Sequence, residues 1–285
     1  MHDSIAVAMS GGVDSSVAAW LLRQQGEQAV GVTMRLFVPE DLAPGQREQC
    51  HILEDLQDAR TVAGQLGIPH HTLDLSGLFR EQVMEPFVQA YEQGRTPNPC
   101  VTCNRTIKFG ALLEVAGQLG CGRLATGHYA RTERDTGSGR VLLKRAVHPE
   151  KDQSYVLWSL SQAQLERVCF PLGGLSKEEI RAIAEEQGLV SARRRDSQDI
   201  CFVPDGDYAA FLCHHTGRTY SPGPFCDPEG RVLGVHEGII HYTVGQRRGL
   251  KVSSNQGRLY VKELCPQENR VILSDNQAGE TLCQG

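Results

Sequence analysis

One segment constrains this chain more than any other: Ser10-Gly11-Gly12-Val13-Asp14-Ser15-Ser16. It follows the short apolar run Ile5–Met9 and opens a stretch over Ser15–Gln25 with Val17, Ala18, Leu21 and Leu22 on one face. The pattern predicts a buried strand, a glycine turn and a helix in immediate succession. Glycines let the backbone approach an anion. The free N–H groups at the helix start, with Ser15 and Ser16, donate to its oxygens, and the helix dipole favours the negative charge. Asp14 is placed to hold magnesium on a pyrophosphate. The loop has no lysine, so it is not a Walker A loop, and it lacks the G-x-G-x-x-G spacing of dinucleotide folds. An ordinary glycine turn is the plain alternative, and the full string between strand and helix favours the phosphate loop.

Strand and helix patterns continue to alternate. Ala29–Leu36, His71–Leu75 and Arg123–Thr126 read as strands. Ser15–Gln25, Glu54–Leu66, Glu81–Glu92, Ile107–Leu119 and Ser176–Gln187 read as helices, several stopped by glycine. Such alternation predicts an α/β fold, a parallel sheet with helices on both faces. Residues 135–140 (DTGSGR) read as a hairpin turn. After about Pro204 helical periodicity fades and short strand candidates appear at Arg231–Gly234, Ile239–Val244, Arg258–Val261 and Arg270–Leu273. The expected organisation is a catalytic domain over 1–203, a small β-rich domain over 204–270 and the start of a further barrel over 271–285.

With 29 basic against 34 acidic residues the net charge is −5, which excludes nucleic-acid binding through bulk positive charge. Any such contact must use local patches, for example Arg193–Arg195 or Gln246, Arg247 and Arg248. The N-terminus lacks a basic signal-peptide region and no stretch has membrane-spanning length, so a cytoplasmic protein without a membrane partner is expected. Ten cysteines are many for reduced surroundings and too few for a disulfide scaffold. Some are therefore expected to carry chemistry. Cys100 and Cys103 form a C-x-x-C after the rigid Pro97-Asn98-Pro99; such a pair fits a disulfide couple, part of a metal site, or a thiol activated by a helix start. Cys201 follows Arg193–Arg195, whose charge is expected to favour its thiolate. The other seven cysteines read as small apolar or inert residues.

The phosphate loop resembles the signature of the PP-loop ATP pyrophosphatases (adenine nucleotide alpha hydrolase-like). With it stand, in order, GRTPNPCVTCNRTIKFG, ATGHYAR, KDQSYVLWSLS, DSQDICF and GIIHYTVGQRRGL. Together these resemble the tRNA-specific 2-thiouridylases, from residue 5 to about residue 275. The resemblance implies ATP-dependent exchange of the 2-oxygen of the wobble uridine for sulfur. It implies a magnesium–ATP site at Ala8, Met9, Ser10, Gly11, Gly12, Val13, Asp14, Ser15, Met34 and Gly127. It makes Cys103 the nucleophile and Cys201 the persulfide carrier, with a Cys103–Cys201 disulfide as by-product. Asn98, Pro99 and Cys100 are implied to contact the target base, and His128, Lys151, Asp152 and Gln153 the tRNA. The implied partners are a tRNA with a wobble uridine and a persulfide donor protein. From the residues alone, Met34 reads equally well as a core methionine, and Lys151-Asp152-Gln153 as a solvated turn.

Two departures from the family pattern stand out. Position 100 is commonly aspartate and here is cysteine, so Cys100, Cys103 and Cys201 offer three thiolates to a [4Fe–4S] cluster with one open iron. That is an alternative to the persulfide route. The family also usually carries a C-terminal β-barrel, largely missing before Gly285. The remaining alternatives are another PP-loop ligase, which takes an amine nucleophile and has no use for the paired cysteines, and a non-catalytic tRNA-binding or sulfur-carrier relative.

Overall fold

The computed structural model describes residues 4–194, 199–252 and 258–275. The chain forms two compact units, and neither is contiguous in sequence. The first comprises Met1–Pro39, Gln49–Val83 and Pro99–Phe202; the second comprises Glu40–Glu48, Met84–Asn98 and Val203–Gly285.

The first unit is built on a parallel sheet in the order β3-β2-β1-β4-β7. Its strands are β1 (Ser4–Ala8), β2 (Ala29–Arg35), β3 (His70–Asp74), β4 (Cys121–Thr126) and β7 (Val168–Cys169). Successive side chains of a strand point to opposite faces, and β1 is apolar at each interior position, so it sits in the middle. Ile5 and Val7 face a core made with helices Val13–Gln24, Ile52–Leu66 and Lys177–Glu186, through Val17, Leu22, Val62 and Ile180. Ala6 faces the other core, with Val32, Leu124, Phe109 and Leu112. Helices therefore cover both faces, as the alternating pattern predicts. A hairpin of β5 (Ala130–Arg134) and β6 (Val141–Arg145) encloses the predicted 135–140 turn.

The second unit holds a four-stranded sheet in the order β10-β11-β8-β9, made of β8 (Gly223–Cys226), β9 (Val232–His236), β10 (Tyr260–Cys265) and β11 (Arg270–Ser274). An aromatic cluster joins the helices of the same unit: Phe87 lies 6.0 Å from Phe211 and 5.0 Å from Tyr91 between ring centroids. Gln46, almost fully buried, donates to Asp205 Oδ1 at 2.7 Å and to the Asp207 carbonyl at 3.0 Å, tying the short Glu40–Glu48 segment into this unit. Residues 271–274, read from the sequence as the start of a further barrel, belong to this sheet through β11.

Several local expectations change. Ile239–Val244 is no strand, because Ile239–His241 forms a 3-10 turn. Helix Tyr208–Thr216 escapes the periodicity reading because apolar residues are spread around it rather than gathered in a stripe; Asp207 caps it by accepting from the Ala210 N–H at 2.9 Å. The expected single helix over Ile107–Leu119 is a π-helical segment Asn104–Ala111 followed by helix Leu112–Gln118. Glu81–Glu92 is likewise divided, into a π-helical Arg80–Met84 and helix Glu85–Glu92.

Candidate active site

The strand order runs β1, β2, β3 outward to one side, and β4 lies on the other side of β1. The chain thus reverses direction between β1 and β4, which in open α/β sheets leaves a crevice beyond the carboxyl ends of those strands. The loop Ser10–Gly12 leaves β1 at that end. Its hydroxyls fold back on it: the Ser10 N–H donates to Ser15 Oγ at 3.1 Å, and Ser15 Oγ and Ser16 Oγ donate to the Gly12 carbonyl at 3.1 and 2.9 Å. Gly11 takes φ +79°, and any Cβ there would collide with the Asp55 backbone. Gly127, just after β4, abuts the start of helix Val13–Gln24; a Cβ would stand 2.9 Å from the Ser15 nitrogen. Both glycines are required by close backbone approach, and the first also by its left-handed conformation.

A buried cation completes this corner. Lys177 Nζ lies 2.7 Å from Asp14 Oδ1 with its side chain 8% exposed, and the Tyr129 hydroxyl donates to the same oxygen at 2.7 Å. Lys177 is the first residue of helix Lys177–Glu186, where a cation opposes the helix dipole. Its position is therefore held by Asp14, 163 residues away in sequence. Sequence reading misses Lys177 and Tyr129; the one available signal is a lysine at an unfavourable helix position.

The thiols form the second cluster. Cys103 is buried, and Cys100 and Cys201 retain solvent-exposed area although protein surrounds both closely. None of the nine described cysteines is in a disulfide. Burial pushes the Cys103 thiol up, and the Cys100 charge adds to that. Cys201 is pushed up to about 12, first by burial and then by the neighbouring Cys103 and Cys100 charges. Cys201 therefore stands in the same electrostatic neighbourhood as the C-x-x-C pair, across 98 residues of sequence from Cys103.

The expected thiolate at Cys201, favoured by Arg193–Arg195, is corrected. Arg194 is spent on three carboxylates of helix Ile52–Leu66: Asp58 at 2.7 Å, Glu54 at 3.5 Å and Asp55 at 3.6 Å. Arg193 is exposed and Arg195 lies outside the described residues. The cation that lowers Cys100, Cys103 and Cys201 alike is Lys108. In an α-helix five residues turn through about 500°, which would set Lys108 well away from Cys103. The π-helical Asn104–Ala111 changes that register; the Leu112 N–H donates to the Ile107 carbonyl, five residues back, so residues five apart stand one turn above each other.

Comparison with known proteins bears on these clusters. The model described as the tRNA methyl transferase HUP domain matches residues 3–205, and the one described as the tRNA methyl transferase PRC-barrel domain matches residues 209–275. A tRNA-specific 2-thiouridylase MnmA 2 of Thermoanaerobacter sp. (strain X514) is 50% identical over 97% of this chain and 76% of its own length. The chain belongs to the tRNA-specific 2-thiouridylase family. Members from Clostridioides difficile and Heliobacterium modesticaldum are 43% and 46% identical, over 97% and 98% of this chain and 76% and 72% of their own lengths.

The remaining residues that the 2-thiouridylase resemblance implicates are placed unevenly. Ala8 ends β1, and Met9 follows it, buried against Gly31 of β2. Met34 is half-buried and packs on the core beside Leu73. Pro99 is buried at the start of the short helix Pro99–Cys103, and Asn98 before it is exposed. His128 is buried between Phe109 and Phe170, at ring distances of 5.9 and 6.2 Å, and its Nδ1 bonds Thr126 Oγ1 at 2.7 Å. Burial holds its pKa well below the ordinary value, so it is neutral. Its surroundings are those of a core residue. Asp152 caps a turn, accepting from the Ala146 N–H at 2.8 Å and the Ser154 hydroxyl at 2.7 Å. Gln153 Oε1 accepts from the Tyr129 N–H at 3.0 Å, fixing the neighbour of the phosphate corner. Lys151 is half-buried in the 3-10 turn Pro149–Lys151.

Proposed function

We propose that this chain catalyses ATP-dependent 2-thiolation of the wobble uridine of tRNA. The observation that carries the proposal is the electrostatic convergence of Cys201 with Cys100 and Cys103 under Lys108, within the unit that holds the phosphate loop. An aminating PP-loop enzyme has no use for such thiols.

ATP is held by Ser10–Ser15, with Met34 and Gly127 at the adjoining strand ends. A flipped-out base in a single-stranded anticodon loop is cheap to present. Its 2-oxygen attacks the α-phosphorus and expels pyrophosphate. The terminal sulfur of a Cys201 persulfide attacks carbon 2, and AMP leaves with the former uridine oxygen. Cys103 thiolate then attacks the Cys201 sulfur; the S–S bond to the base-borne sulfur breaks, leaving 2-thiouridine and a Cys103–Cys201 disulfide. A persulfide donor protein and a thiol reductant reset the site, which suits the reducing cytoplasm. Asn98, Pro99 and Cys100 face the base in this scheme, and Lys151–Gln153 belong to the tRNA-contacting side, with His128 in the core beneath. Among the described residues no helix is long and apolar enough to cross a membrane.

Magnesium arrives on the ATP phosphates. Asp14, whose Oδ1 already accepts from Lys177 and Tyr129, is the loop carboxylate that would hold it, and the ion would neutralise phosphate charge there. Among the described residues no group of three His, Cys, Asp or Glu side chains is arranged to hold a metal ion.

The test is thiolation of an unmodified tRNA transcript, read as 2-thiouridine by mass spectrometry of the digest. Cys103→Ser and Cys201→Ser are each expected to abolish product while leaving ATP binding intact. Full thiolation by Cys201→Ser would refute the scheme.

A further inference from the structure

Trp158 is the most exposed large apolar side chain among the described residues, at 72%, and Tyr155 is 63% exposed. A single exposed apolar residue is ordinary; two exposed rings three residues apart are the kind of amphipathic surface that contacts use. The two belong to one turn. Ser154–Val156 is 3-10 helical, and the Leu157 N–H donates to the Ser154 carbonyl at 3.0 Å. Trp158 follows in the turn that continues this segment, so both exposed rings stand on one short stretch of chain. Between them Val156 and Leu157 are buried in the core that also holds Phe109. Asn104 Nδ2 donates to the Val156 carbonyl at 3.2 Å. The turn is thus anchored from beneath, and it is tied to the residue that follows Cys103.

The stretch of chain that leads to it is more basic than the chain as a whole. Residues 130–158 carry six Lys and Arg against four Asp and Glu, in a chain of net charge −5. Arg131, Arg140 and Arg145 are exposed on the β5–β6 hairpin that precedes the turn. Exposed aromatic rings with neighbouring cations are the arrangement that binds single-stranded nucleic acid: bases stack on the rings and phosphates meet the basic groups.

We propose that Tyr155 and Trp158 form a stacking platform for unpaired bases of the tRNA, outside the reacting centre. The proposal rests on the tRNA reading above and adds a binding surface to it.

The chain has two tryptophans, and Trp20 is packed against the core, so a Trp20→Phe background leaves Trp158 as the sole indole reporter. Titration of that protein with an unmodified tRNA transcript, and with its anticodon stem-loop alone, is expected to quench the Trp158 emission. Trp158→Ala is expected to weaken binding about 5- to 100-fold, and Trp158→Tyr to restore most of it, because any aromatic face can stack. The thermal midpoint is expected to stay unchanged, since the ring is outside the core. Tight tRNA binding with unchanged Trp158 emission and equal affinity of Trp158→Ala overturns the platform and leaves the function standing. Trp158-dependent self-association without such an RNA effect also overturns it, making the surface a contact between two copies. A parent chain that binds no tRNA overturns both readings.

Discussion

Lys177 Nζ and Asp14 Oδ1 meet at 2.7 Å, joining the first residue of one helix to the phosphate-loop end of another. The pair borders the Ser10–Ser16 loop and gives it the cation that its own string lacks. Lys177→Met is expected to lower pyrophosphate release about 10- to 100-fold, by removing positive charge at a site of developing negative charge. It should also cost about 1–3 kcal/mol of stability, since Asp14 keeps only the Tyr129 hydroxyl and its side chain is 32% exposed. Denaturant midpoints and a pyrophosphate assay measure the two effects separately. Unchanged release would remove Lys177 from the site.

Gly127→Ala separates binding from folding. Its new Cβ would lie 2.9 Å from the Ser15 nitrogen and 3.0 Å from the Asp14 carbonyl carbon, so the helix start must shift. Overpacking of this kind costs about 1–3 kcal/mol. The expected outcome is a folded protein whose ATP affinity, read by isothermal titration, falls at least about tenfold.

The thiols make the chemistry depend on pH. Cys201 is pushed up to about 12 from an ordinary 9.0, so at neutral pH it is a protonated thiol. Its alkylation, followed peptide by peptide in the mass spectrometer, is expected to rise about tenfold per pH unit from neutral to beyond pH 9. Lys108→Met should slow alkylation of Cys100, Cys103 and Cys201 together, because Lys108 lowers all three. Lys108→Arg should retain it. A plateau near pH 7 in the parent protein would contradict the raised value. The same shift carries a sign for stability: above 9.0 the unfolded chain releases this proton and the folded chain keeps it, so stability falls as pH rises through that range.

His128 predicts the acid limb. Its pKa lies well below the ordinary 6.5 because burial disfavours the imidazolium. Below pH 6.5 the unfolded chain therefore binds a proton that the folded chain refuses, and stability is lost as pH falls from there. Nitrogen-15 NMR of the ring is expected to report a neutral imidazole, with no protonation midpoint near 6.5. A midpoint close to 6.5 would place His128 in water and return it to the tRNA-contacting surface.

Much of this protein is decided locally and is legible in sequence. An apolar strand, two glycines and a serine-rich helix start, repeated strand–helix alternation, and a C-x-x-C behind two prolines each act through backbone conformation and short-range hydrogen bonding. They specify the parallel sheet, the phosphate loop and the pair Cys100 and Cys103. What surrounds them is set by packing across long separations. Only the fold brings Lys177 to Asp14, places Cys201 with Cys103, spends Arg194 on the carboxylates of Ile52–Leu66 and buries His128 between Phe109 and Phe170. Even Lys108, five residues from Cys103, depended on a π-helical turn that periodicity reads as plain helix. Local patterns record which conformations a segment prefers. Charges and burial are settled by whichever side chains tertiary packing sets beside one another, and no short window of sequence contains both partners.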